Sequence, residues 1–169
     1  MWRAELSVMR ALATAVALLV LPSCAAAQQG VADFAERVRK IVVLGDVSAF
    51  SELPCYPAPC IDQEDTDFVI GPAESKSFIR EFLENPRVKI KIFGPYTYDD
   101  ETGEKSYLVM FYDPDLVKFN SEGQLSQEER ERLWWKGYIE TVVSPVNSGW
   151  GFHRTPFYYG TEAPWTEDF

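Results

Sequence analysis

Residues 88–112 read VKIKIFGPYTYDDETGEKSYLVMFY, and this stretch decides the fold. In its first part valine and isoleucine alternate with Lys89 and Lys91, which is the period of a half-buried strand. A polar turn follows over residues 99–104, and residues 105–112 return as a second apolar run. Two strands joined by a short polar turn predict an antiparallel hairpin, which we expect at the centre of a sheet.

Upstream of the hairpin the apolar residues follow the period of a helix. They fall on one stripe between residues 31 and 42, and Gly45 is placed to end this first helix in a left-handed conformation. Asp46 is a typical N-cap for a short second helix that runs to Leu53. The chain therefore begins its predicted domain with two consecutive helices.

Two further elements are predicted before the hairpin. Phe68-Val69-Ile70 is a short apolar run and indicates a strand. Gly71-Pro72 predicts the start of a third helix, because proline is favoured at the first helical position. Asn85-Pro86 then ends that helix.

Downstream of the hairpin the sequence returns to strands. Ser126 to Glu129 form a capping-box pattern that predicts a short helix toward Trp134. Residues 138–143 and 150–159 read as strands, the last one bent or at an edge because of Pro156. Helices first and strands last predict an α+β domain, in which a curved antiparallel sheet of about four to five strands packs against two to three N-terminal helices.

Residues 1–27 have the layout of a secretory signal. Basic Arg3 and Arg10 precede an apolar run over residues 11–21, and small residues follow it. The run holds about 11 residues, well below the roughly 20 that a membrane-spanning helix needs. The sequence therefore predicts an exported bacterial protein, periplasmic or secreted, whose single domain comprises residues 28–169.

Two routes of processing fit this segment. Cleavage after Ala27 would free the domain, since small residues precede that bond. Leu21 to Cys24 also resemble a bacterial lipobox, in which Cys24 would carry the lipid and anchor the protein to a membrane. Pro22 fits the lipobox poorly and favours ordinary cleavage, but both routes stay open.

The chain is acidic, with 16 Lys and Arg against 26 Asp and Glu. Removal of residues 1–27 takes away two basic residues and one acidic residue, which leaves 14 and 25 and a formal charge of about −11. Neutralising phosphates requires clustered Lys and Arg, so we expect no nucleic-acid partner. Membrane association is expected only through lipid on Cys24, whereas a basic protein partner or a cation is compatible with this charge.

Two cysteines remain in the predicted domain, within the segment Cys55-Tyr-Pro-Ala-Pro-Cys60. In an oxidising compartment two cysteines this close are expected to join. The prolines between them restrict the backbone, so the segment is either a local staple or a pre-shaped loop that inserts into a partner. Tyr56 is the binding candidate in this loop.

Acidic residues cluster between Asp62 and Asp67, but their spacing does not match a calcium-binding loop. We expect a solvated loop and no metal site. The sequence also has no nucleophile elbow, phosphate-binding loop, zinc spacing or dinucleotide fingerprint, so no cofactor is expected.

The order of elements over residues 31–160, with Gly45-Asp46 between the first helices and Gly71 before the third, resembles the NTF2-like (SnoaL-like, cystatin-like) superfamily. The resemblance implies a bent sheet that wraps around a helix as a cone, often with a pocket for a small molecule. It also allows a homodimer, since such domains often pair through their sheets. The Cys55–Cys60 loop departs from that pattern.

His153 is the only histidine and is the candidate catalytic residue. Histidine titrates near neutral pH, and the resemblance implies an Asp or His inside the cone as the acid–base group. Glu140 on the preceding strand is the candidate partner, because adjacent strands bring opposed side chains within about 5 Å. A purely structural role of His153 and Arg154 among aromatic residues stays open. The candidate binding residues are Tyr56, Tyr138, Trp150, Arg154 and Tyr158.

Two functions follow from these observations. The first is a non-catalytic binding or inhibitory module that uses the loop closed by Cys55 and Cys60. Small periplasmic inhibitors of basic lytic enzymes share its size and acidity, and some share the Cys-x4-Cys spacing, although this loop lacks their charged or histidine contents. The alternative is an NTF2-like enzyme that acts on a small hydrophobic molecule, with His153 as acid or base.

Overall fold

The protein is described by a computed structural model over residues 25–99, 104–147 and 149–157. The predicted signal segment up to Cys24, and Tyr158 among the candidate binding residues, lie outside these ranges.

Helix α1 spans residues 25–44 and packs its apolar stripe against the sheet. It ends at Gly45, whose φ of 69° is in the left-handed region that glycine adopts without strain. The N–H of Asp46 donates to the carbonyl of Ile41 at 3.1 Å, which satisfies one of the last helical carbonyls. The predicted end of this helix is confirmed. Its buried residues include Val31, Phe34, Ala35, Val38 and Val42.

Helix α2 (Val47–Ser51) begins at the predicted N-cap. The Asp46 carboxylate accepts a hydrogen bond from the N–H of Ala49 at 3.0 Å, which is the usual geometry of such a cap. Phe50 is fully buried and anchors this short helix to the core.

Helix α3 (Gln63–Val69) corrects two expectations, since the predicted strand at residues 68–70 and the predicted acidic loop are one helix. Asp62 and Asp65 form a capping box, in which each carboxylate accepts the other residue's backbone N–H. Acidic side chains in the first turn also suit the positive end of the helix dipole. A short apolar run does not distinguish a strand from the last turn of a helix, which explains the error.

Helix α4 (Phe78–Glu84) starts later than predicted, because Ser77 is its N-cap instead of Gly71-Pro72 beginning the helix. Gly71 has φ of 100° and lies in the loop between α3 and α4. The predicted end of the helix at Asn85 is confirmed.

Five strands form one open sheet in the order β1-β5-β4-β3-β2. The expected α+β fold with helices packed on the sheet is confirmed. The pairs among β2, β3, β4 and β5 are antiparallel, whereas β1 pairs in parallel with β5 and makes the sheet mixed. A register shift at residues 93–96 bends β2. The strands are β1 (Cys55–Tyr56), β2 (Lys89–Asp99), β3 (Glu104–Tyr112), β4 (Tyr138–Val146) and β5 (Gly149–His153).

Strand β5 is shorter than the predicted strand at residues 150–159. It ends at His153, and Arg154 follows with φ of 66°, a conformation that breaks the extended backbone. Phe157 then turns back into the core, where its ring lies 6.1 Å from that of Phe152. The strand predicted to continue beyond His153 is therefore absent from the described residues 154–157.

The two faces of the sheet are covered by different parts of the chain. Helices α1 to α4 pack on one face, where Tyr107, Val109 and Phe111 of β3 join the main core. The other face, which includes Met110, is covered by the segment that carries the predicted helix α5 (Gln127–Leu133). Its capping box is confirmed.

Candidate functional site

The loop between Cys55 and Cys60 lies at one edge of the sheet, where β1 pairs with β5. The sulfur atoms lie at disulfide-bonding distance and the Cα atoms are 6.0 Å apart, which confirms the predicted pairing. Both cysteines are partly buried against the main core. The four residues between them are exposed, so the loop projects from a base that is fixed in the core.

Two backbone hydrogen bonds hold this loop on β5. The N–H of Phe152 donates to the carbonyl of Pro54 at 3.0 Å, and the N–H of Arg154 donates to the carbonyl of Tyr56 at 2.7 Å. The parallel register places Tyr56 directly beside His153. The predicted site residues Tyr56, His153 and Arg154 are thus brought together at this edge.

Tyr56 and His153 differ in their access to solvent. Tyr56 is 46% exposed, whereas His153 is 5% exposed. Their ring centroids are 6.2 Å apart at an interplanar angle of 42°. Of these two rings, the phenol of Tyr56 is therefore accessible, and the imidazole lies buried next to it.

His153 ends a chain of buried polar side chains. Its Nδ1 lies 3.0 Å from Oγ of Ser144, and that oxygen lies 2.6 Å from Oγ of Ser106. Both serines are buried on the sheet face that looks away from α1. This series of hydrogen bonds was not predicted from the sequence. Ser106 and Ser144 each lie within an apolar strand, and a serine in that position could have indicated a buried polar contact.

Glu140 has a different partner from the one predicted. It lies opposite Met110 on β3, is 1% exposed, and both carboxylate oxygens are 3.3 Å from Nη1 of Arg130 on α5. Burial raises the pKa of Glu140, and the charge of Arg130 opposes this shift. The hydrogen bonds of the described residues link Glu140 to Arg130 and His153 to Ser144, and none links Glu140 to His153.

The other predicted binding residues do not form one surface. Tyr138 is buried, and its hydroxyl donates to the carbonyl of Arg130 at 3.1 Å. Burial raises the pKa of this phenol. Trp150 packs edge-on against Tyr107, with the ring centroids 5.5 Å apart, on the face of the sheet that packs against the N-terminal helices. Tyr158 lies outside the described residues.

The acid–base role of His153 stays a prediction. Neither a groove of about 450 Å³ between α3 and α4 nor a cavity of about 40 Å³ beside Arg130 includes His153 in its lining. Sequence reasoning missed the groove, because its walls are brought together by the packing of α3 against α4. Among the residues with described coordinates, no group of three or more His, Cys, Asp or Glu side chains is placed to hold a metal ion.

The chain has no significant match to a protein-family model, to a curated protein or to a solved structure. Over residues 25–99, 104–147 and 149–157, no helix is both long enough and apolar enough to cross a bilayer.

Proposed function

We propose that this chain is an exported, non-catalytic module that binds a basic protein partner through the loop closed by Cys55 and Cys60. The observation that carries the proposal is the exposure of Tyr56, a residue that is 46% exposed on a loop that is fixed at both ends.

A fixed loop suits recognition because it loses little conformational freedom on binding. The disulfide closes the loop, and the hydrogen bond from Arg154 to the Tyr56 carbonyl holds its first half on β5. Two prolines between the cysteines further restrict the backbone. Tyrosine is enriched among the residues that dominate binding energy, because its ring buries much area with few rotatable bonds.

The negative charge of the chain favours one class of partner. An excess of ten acidic residues over basic ones favours association with a basic surface and speeds the encounter. Small periplasmic inhibitors of basic lytic enzymes are similar in size and acidity, and some have the same cysteine spacing. We therefore propose a basic cell-wall hydrolase as the partner.

Purified protein would be immobilised and titrated with a panel of basic cell-wall hydrolases, with an acidic protein of similar size as the negative control. At least one hydrolase should bind in a salt-dependent manner. Replacing Tyr56 by serine should weaken that binding about thirtyfold, the effect of losing a central aromatic contact.

The matched control is Leu116→Ser, since Leu116 is 49% exposed and lies outside the loop. This variant should bind as tightly as the natural chain. Equal affinity of the Tyr56→Ser and Leu116→Ser variants would exclude the loop as the binding element, and absence of binding to every hydrolase would exclude the partner class.

We also propose that the fold is related to the NTF2-like superfamily. The support is the order of elements, with α1 and α2 before the antiparallel strands β2 to β5. The two-residue β1 that pairs in parallel with β5 is an addition to the predicted pattern. An experimental structure that superposes poorly on NTF2-like domains over residues 31–160 would contradict this relation.

A further inference from the structure

A groove of about 450 Å³ opens between α3, α4 and the loop that joins them. This volume lies within the range of roughly 300–1,000 Å³ found for small-molecule sites. The groove is lined by charged residues of both signs and by apolar side chains. The lining includes Val47, Asp67, Ile70, Glu74, Lys76 and Arg80.

One wall of the groove carries two cations. Nζ of Lys76 lies 2.7 Å from a carboxylate oxygen of Glu84, and Nε of Arg80 lies 3.5 Å from the other oxygen. The hydrogen bond from Lys76 lowers the pKa of Glu84, so this carboxylate is ionised at neutral pH. One negative charge faces two positive charges, which leaves this wall with a net positive charge.

Arg80 is held in place by its packing. A Cβ atom built on Gly45 would lie 2.5 Å from Nη1 of Arg80, so the guanidinium lies directly over the bare glycine backbone. Nη2 donates to the carbonyl of Val43 at 3.3 Å. The cationic wall therefore has a fixed position relative to the end of α1.

The opposite charge comes from α3 and from the connecting loop. Asp67 lies on α3 and Glu74 on the loop, and both side chains are exposed. Oδ1 of Asp67 accepts a hydrogen bond from Gln63 at 2.8 Å. The lining also includes apolar residues, of which Val47 is 47% exposed and Ile70 is buried.

The loop that carries Glu74 and Lys76 is held by hydrogen bonds. The N–H of Ser75 donates to the carbonyl of Pro72 at 3.0 Å, and the N–H of Ser77 donates to the carbonyl of Ile70 at 3.2 Å. The hydroxyl of Ser77 also donates to the carbonyl of Val69. The groove is thus preformed, and a ligand would not have to order it.

We propose that this groove binds short peptides through their free ammonium and carboxylate ends. A simple anion would meet the carboxylates of Asp67 and Glu74, and a simple cation would meet Lys76 and Arg80. A di- or tripeptide carries an ammonium group, a carboxylate and apolar side chains, and the groove offers charged residues of both signs and apolar residues to contact them. This site is separate from the disulfide loop and does not rest on the function proposed for that loop.

The first test uses the dipeptide leucyl-leucine, its N-acetyl derivative and its C-terminal amide. Titration calorimetry on the purified protein should show binding of the free dipeptide and about tenfold weaker binding of each blocked form, since each lacks one charged hydrogen-bonding end. Equal affinities of the three peptides, or no binding of the free dipeptide at millimolar concentration, would overturn the proposal.

The second test assigns each end of the peptide to a charged side chain. Glu74→Gln should weaken binding of the free dipeptide about tenfold and leave binding of the N-acetyl form unchanged. Lys76→Gln should also weaken binding of the free dipeptide about tenfold, but it should leave binding of the C-terminal amide unchanged. Glu81→Gln is the control, because Glu81 is exposed on α4 but does not line the groove. Loss of affinity for all three peptides in the Glu74 and Lys76 variants would overturn the assignment. Tyr56→Ser should leave peptide binding unchanged, so the proposed peptide site and the function proposed for the disulfide loop can be refuted independently.

Discussion

Glu140 is an acidic side chain that is buried inside the protein, and the energetic cost of burying its charge depends on Arg130. The residue is 1% exposed, and the side chain of Arg130 that pairs with it is 17% exposed. Burial raises the pKa of Glu140 above its ordinary value of 4.5. The unfolded state therefore loses this proton at lower pH than the folded state, and stability falls as pH rises from about 4.5 through the folded pKa.

Replacing Arg130 by methionine should leave the Glu140 carboxylate buried without its counter-ion. We expect the free energy of unfolding to fall by about 3 kcal/mol near pH 7. The loss should shrink as the pH falls, because a protonated Glu140 needs no counter-ion. Urea unfolding at several pH values measures both effects.

Arg132→Met is the control for this prediction, since Arg132 is exposed on the same helix. Its effect should stay within about 0.5 kcal/mol at every pH. A loss in the Arg130 variant that does not change with pH would show that packing, and not the charge of Glu140, is the cause.

At the scale of elements, two serine N-caps start helices of the same length. Ser77 caps α4 and Ser126 caps α5, and both helices have seven residues. The hydroxyl of Ser77 also donates to the carbonyl of Val69 at the end of α3, whereas the hydroxyl of Ser126 bonds only within its own capping box among the described residues. Ser77 therefore joins two helices, and Ser126 stabilises one.

Ser126→Ala should lower the free energy of unfolding by about 1 kcal/mol, the usual cost of a lost cap. Ser77→Ala should cost about 2 kcal/mol, because a buried hydrogen bond between α3 and α4 is lost as well. Chemical denaturation of the two variants side by side gives the difference. Equal losses would mean that the bond to Val69 contributes nothing.

At the scale of the whole molecule, the charge opposes the compact state. The chain carries a formal charge of −10, and like charges repel more strongly when the chain is folded. Raising sodium chloride from about 10 mM to about 150 mM shortens the screening length from about 30 Å to about 8 Å. The midpoint of urea unfolding should therefore rise with salt.

A variant with Glu36→Lys and Glu122→Lys provides the comparison, since both residues are exposed and make no ion pair among the described residues. Each change removes two negative units, so −10 becomes −6. Its salt response should be smaller than that of the natural chain. A midpoint that falls with salt in both proteins would show that ion pairs outweigh the repulsion.

Local signals in the sequence predicted much of the architecture. The alternation around Lys89 and Lys91 predicted β2, Asp46 predicted the start of α2, and the capping box at Ser126 predicted α5. These signals work because each depends on a few neighbouring residues. Helix α3 was missed because its capping box uses two aspartates, Asp62 and Asp65, within a run that also reads as a solvated loop.

The sequence by itself determined the α+β class, the pairing of Cys55 with Cys60 and the acidic character of the chain, because these follow from local spacing and composition. Only the tertiary structure decided that β1 pairs in parallel with β5, which sets Tyr56 beside His153. It also decided that Glu140 pairs with Arg130 and that α3 and α4 enclose a charged groove. Such contacts join residues far apart in the chain, and their register depends on how the helices and the sheet pack.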